Sequence, residues 1–104
     1  MKNKLGLLES DMLEISAVLE KFSPIEKAII FGSRAKGNFK NGSDVDLALK
    51  GIDLNLEIIH EVSLFLNEDT KMPYQFDVLS YFDIKEPTLT EHIDRVGVVI
   101  FERK

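Results

Sequence analysis

Apolar residues recur at helical spacing over residues 11–22, DMLEISAVLEKF, where Met12, Ile15, Val18, Leu19 and Phe22 make one stripe. Asp11 and Glu14 are spaced as a capping box for this helix, and Ser23-Pro24 ends it. The pattern then changes. Residues 26–31 hold the short apolar run AIIF between Pro24 and Gly32, which predicts a buried strand. A polar stretch follows, in which 33–36 predicts a short helix broken by Gly37-Asn38 and again by Asn41-Gly42. Residues 44–49 predict a second strand. From 53 to about 67, Leu56, Ile58, Ile59, Val62, Phe65 and Leu66 fall on one broad face of a second long helix. Tyr74, Phe76, Val78, Leu79 and Tyr81 suit a third strand with Asp77 in its middle. A short helix over 87–95 opens on Pro87-Thr88, and VGVVIF near the end reads as one more extended segment. Helices alternating with strands predict an α/β (α+β) domain, a small mixed β-sheet flanked by helices.

Three carboxylates interrupt this pattern where burial is expected. Successive side chains of a strand point to opposite faces, so Asp44 and Asp46 share a face while Val45 and Leu47 take the other. The two lie about 6 to 7 Å apart along the strand. Ionised carboxylates facing one another beside a core repel, and a divalent cation relieves that repulsion. Asp77 sits in an equally apolar context and supplies a third carboxylate if its strand lies beside the one carrying Asp44 and Asp46. Carboxylate, water and phosphate oxygens are the ligands Mg²⁺ prefers, and three convergent carboxylates can hold two such ions. Upstream, Gly32-Ser33 joins a strand to a helix, a place where unpaired backbone N–H groups favour phosphate. Ser33 can cap that helix or donate to a phosphate, and Arg34, with Lys36, can neutralise a triphosphate or departing pyrophosphate.

Composition narrows the classes. The 104 residues fit one compact domain, 1–104, that buries roughly 65% of its unfolded surface. With 44% hydrophobic and 30% charged residues, the sequence is that of a soluble globular protein, and no apolar run approaches the roughly 20 residues of a membrane span. The N-terminus lacks signal-peptide character, and the absence of cysteine suits a cytoplasmic location. A net charge of −5 argues against direct nucleic-acid binding. Gly32 and Gly37 have P-loop spacing, but Asn38-Phe39 stands where Lys-Ser/Thr is required. DVDLALKG lacks the further ligands of a calcium loop, and His60 and His92 stand apart in separate helical contexts, as surface or boundary residues rather than zinc ligands.

Gly32-Ser33, ten intervening residues, Asp44-Val45-Asp46-Leu47 and the later Asp77 together resemble the DNA polymerase beta-like nucleotidyltransferase superfamily, and within it the minimal nucleotidyltransferase (MNT) family. The resemblance implies a polymerase beta palm-like fold and Mg²⁺-dependent transfer of a nucleoside monophosphate, AMP from ATP, to an acceptor hydroxyl. By the same resemblance Gly32 and Ser33 hold the triphosphate, Asp44 and Asp46 bind the metals, and Asp77 binds the catalytic metal and helps deprotonate the acceptor. The resemblance further implies a HEPN-domain toxin as partner, with a toxin tyrosine as acceptor and this chain as the MntA-type antitoxin. Larger relatives carry an extra domain for the acceptor, so a partner chain is expected to complete the cleft. A different class, a binding antitoxin with little turnover, and a bland reading, in which Asp44 and Asp46 pair with Lys36 and Lys40, are the alternatives. Base preference and oligomeric state, homo- or hetero-oligomeric, are left open by the residues. The VGVVIF segment offers an edge that could pair with a copy or a partner.

Overall fold

The computed structural model describes residues 2–103. Four strands, β1 (Lys27–Phe31), β2 (Val45–Lys50), β3 (Phe76–Ser80) and β4 (Val98–Glu102), form one sheet in the order β3-β2-β1-β4. β1 runs antiparallel to both β2 and β4, whereas β2 and β3 are parallel. A parallel pair needs a crossover, and α3 (Leu56–Leu64) provides it, prolonged by a π-helical turn over Phe65–Asp69. The other helices are α1 (Glu9–Glu20), α2 (Gly32–Lys36) and α4 (Pro87–Val96). The mixed sheet flanked by helices agrees with the sequence pattern.

Alternation along the strands divides the core. Ala28, Ile30, Val45, Leu47, Leu49 and Phe76 face α1 and α3, where Ile15, Val18, Leu19, Ile59, Val62 and Leu66 close the main apolar layer. Each of the larger side chains, fully buried, contributes roughly 1.5–3 kcal/mol. On the opposite face Ile29, Phe31 and Ala48 pack against Ile93 of α4, with Leu79, Tyr81, Ile84 and Leu89 around them. α4 lies over β1, and the beginnings of β2 and β3 on that face carry carboxylates instead of apolar side chains.

Some boundaries differ from expectation. α1 begins at Glu9, so Asp11 is not its cap but lies in its first turn. Its buried carboxylate accepts from the Leu8 N–H at 2.9 Å and from the Tyr74 hydroxyl at 2.9 Å, which a capping box with Glu14 would not have provided. α3 starts at Leu56 because the Asn55 side chain accepts the Ile58 N–H at 2.8 Å and caps it. β2 begins at Val45, leaving Asp44 just ahead of the ladder. Among the described residues no helix is long and apolar enough to cross a membrane.

Candidate active site

The register of the parallel pair decides the geometry. Asp46 on β2 is the partner of Asp77 on β3, and neighbouring strands lie about 4.8 Å apart, so the two carboxylates leave the same face side by side. Asp44, two residues before Asp46, is exposed, as is Asp77, whereas Asp46 is half-buried. Burial pushes the Asp46 carboxyl above its ordinary value of 3.8, the negative charges of Asp77 and then Asp44 raise it further, and His92 opposes them. Both of the other carboxylates therefore act on Asp46. The ion pairs among the described residues are Lys27–Glu102 at 3.5 Å and Glu91–Arg95 at 3.8 Å, so Lys36 and Lys40 do not neutralise the carboxylates as the bland reading required.

Gly32 closes the other side. The last residue of β1, Phe31, is the partner of Asp46, which carries the next residue directly over the carboxylate. Gly32 has φ +72°, and a Cβ there would run into Asp46 Oδ2. Glycine is required twice, by the left-handed backbone and by the close approach. Ser33 follows in the first turn of α2, half-buried.

Two expectations are corrected. The turn does not offer a full set of unpaired N–H groups, because Gly32 N–H donates to His92 Nε2 at 3.1 Å. Arg34 does not face the carboxylates: it is 2% exposed, and its guanidinium donates to the carbonyls of Leu5 (2.9 Å), Gly6 (3.3 Å) and Ser43 (2.8 Å) while stacking on Phe39 and Tyr74. Its planar fork ties the N-terminal turn to the loop before β2, a structural role that its position beside Gly-Ser conceals. His92 joins the site without any signal in the sequence pattern. It comes from α4, sixty positions from the glycine it contacts, and its ring lies edge-on to Phe31 with centroids 6.1 Å apart. His60, by contrast, is exposed on α3.

Among the described residues no three His, Asp or Glu side chains converge tightly enough to hold one ion as they stand. The donor chemistry nonetheless fits magnesium: Asp46 and Asp77 lie side by side with Asp44 near enough to act on Asp46, no cationic side chain among the described residues is paired to them, and Asp46 is made reluctant to ionise by burial and then by its neighbours. The site is an open surface. A cavity of about 350 Å³ lies elsewhere, along the outer edge of β3 between Leu56, Ile59, Val78 and Leu89.

This fold and this pattern of carboxylates define a nucleotidyltransferase domain. The chain belongs to the polymerase beta, nucleotidyltransferase family, whose sequence model matches residues 14–104. No curated protein matches the sequence. Among solved structures, a toxin-antitoxin complex with AMP-PNP superposes with a TM-score of 0.73 at 18% identity, covering 89% of this chain and 74% of the other. The MntA-HepT toxin-antitoxin pair gives 0.70 at 15% identity, over 92% and 74%. A tri-AMPylated Shewanella oneidensis HEPN toxin in complex with its MNT antitoxin gives 0.70 at 15% identity, over 91% and 72%. All three of these structures are toxin-antitoxin complexes, and what they share with this chain is the fold, the polymerase beta-like one.

Proposed function

We propose that the protein is an antitoxin that transfers AMP from ATP to a hydroxyl of a HEPN-domain partner, a tyrosine being the acceptor. The observation that carries this reading is the pairing of Asp46 with Asp77 across β2 and β3, with Gly32 packed against Asp46. Repelling carboxylates on an open face serve no stability purpose, and the family to which the chain belongs transfers nucleotides. In the reaction the acceptor oxygen forms a bond to the α-phosphorus of ATP. The bond from that phosphorus to the β-phosphate oxygen breaks, and pyrophosphate leaves. Asp77, exposed at the rim, accepts the hydroxyl proton or passes it to water. Asp44, Asp46 and Asp77 would hold Mg²⁺, which when bound offsets charge on the phosphates and on the leaving pyrophosphate. Gly32 and Ser33 bring the backbone close to the triphosphate, and the missing Cβ at Gly32 lets the Asp46 carboxylate lie against that turn. The AMP-PNP complex and the AMPylated toxin among the structural neighbours support ATP as donor and a HEPN protein as acceptor.

The test is incubation with ATP labelled in its α-phosphate, MgCl₂ and the product of the neighbouring gene, taken as the candidate HEPN-domain partner. Label on a tyrosine of that protein, absent with Asp44→Asn/Asp46→Asn, is the expected result. Absence of transfer with every nucleotide, together with full toxin neutralisation by the folded double variant, would replace the enzyme with a binding antitoxin.

A further inference from the structure

The start of α2 has no local cap. Phe31 precedes the helix in extended conformation and has no side-chain acceptor, so Gly32 N–H, which cannot find an intrahelical partner, must bond elsewhere. His92 meets it from α4 at 3.1 Å. α4 is anchored there by Ile93, 2% exposed among Ile29, Phe31 and Ala48, so the imidazole is delivered by a packed helix rather than by a loop. The ring also rests edge-on against Phe31, the residue paired with Asp46.

We propose that His92 is a positioning residue of the carboxylate site: a cap supplied from α4 that holds the Gly32-Ser33 turn against Asp46. This inference rests on the nucleotidyltransferase reading for its effect on catalysis, and on geometry alone for its effect on the turn. The contact uses the Nε2 lone pair as acceptor for the Gly32 N–H. The residue type follows from the charge around it. Aspartate or glutamate, the commoner acidic acceptors, would add a fourth negative charge beside Asp44, Asp46 and Asp77. An imidazole accepts the hydrogen bond without adding negative charge. Freed from it, Gly32 loses the contact that fixes its φ of +72°, and the turn and the Asp46 carboxylate lose their common register.

Three variants separate the roles: His92→Leu removes the acceptor at similar bulk, His92→Gln keeps a neutral acceptor, and His92→Glu keeps an acceptor and adds charge. Hydrogen exchange of the Gly32 amide, followed by NMR, is expected to be slow in wild type, at least tenfold faster in H92L, and slow again in H92Q. In the transfer reaction H92L is expected to lose about 10- to 100-fold in kcat, the scale of a displaced reacting group, with KM for ATP changed less than threefold and H92Q restoring most of the rate. H92E should keep the slow amide but not the rate. Equal exchange in wild type and H92L overturns the proposal, and so does lost protection with unchanged kcat. If wild type transfers nothing, the reading of function fails separately. The Gly32 amide then decides alone: exchange at least tenfold faster in H92L upholds the positioning role, and equal exchange overturns it.

Discussion

Substituting Gly32 by alanine should destabilise the protein by an amount that depends on Asp46. An L-residue at φ +72° costs about 1–2 kcal/mol from the backbone alone. The new Cβ also meets Asp46 Oδ2, so the carboxylate must leave its rotamer, at roughly a further 1 kcal/mol. Gly37 is an internal control: its φ is +85° and nothing lies within 4 Å of a Cβ there, so Gly37→Ala reports the backbone cost by itself. Urea unfolding of both variants should place Gly32→Ala about 1 kcal/mol below Gly37→Ala. Repeating Gly32→Ala in an Asp46→Ala background should erase that difference, giving a coupling of about 1 kcal/mol, within reach of a double-mutant cycle. Equal losses at positions 32 and 37, with no coupling to Asp46, would refute the claim that the glycine exists to admit the carboxylate.

Asp46→Asn should stabilise the metal-free protein at pH 7. At about 5 Å separation in a half-exposed site the Asp77 charge is worth about 1 kcal/mol, or a Tm rise of about 4 °C. The sign follows from a folded-state value raised above 3.8: the wild type loses stability as pH rises through the raised value, so the advantage of the Asp46→Asn variant should vanish below pH 3.8, and thermal melts across pH check it. Arg34→Leu leaves the carbonyls of Leu5, Gly6 and Ser43 without their donor and should cost at least roughly 3 kcal/mol in urea unfolding, while MgATP affinity at low temperature changes less than twofold. A tenfold loss of affinity with unchanged stability would return Arg34 to the nucleotide. Asn67→Ala removes the amide that bonds both Phe76 N–H (2.7 Å) and Phe76 C=O (3.0 Å), and should speed exchange of the β3 amides next to Asp77 at a cost of about 2 kcal/mol.

The carboxylates were legible because each violates the apolar pattern of the segment that carries it. Alternation set Asp46 on the face opposite Val45 and Leu47, whereas Asp44 falls ahead of the ladder, and the placing of Asp77 beside Asp46 needed the strand order. Gly32 was legible as a turn, but its tight packing on Asp46 comes from the β1–β2 register, which no local pattern reveals. Arg34 misled for the same reason. Its neighbours in sequence suggest a phosphate, whereas its partners come from residues 5, 6 and 43, brought together by tertiary packing. His92 had no signal at all, since a helix-start cap is sought within a few residues of the helix and this one arrives from sixty away. Asp11 shows the same on a smaller scale: the helix is capped three residues earlier, at Leu8, because the preceding turn, in which Asn3 Oδ1 accepts from Leu5 and Leu7 N–H, leads straight into it.

The most direct test of a shared metal-nucleotide site on these carboxylates is paramagnetic broadening by Mn²⁺ in the presence of ATP. Amides of Asp44 to Asp46, Asp77, Gly32 and Ser33 should broaden first and together, and the effect should disappear in Asp44→Asn/Asp46→Asn. Broadening centred on another part of the surface, or unchanged in the double variant, would contradict the account.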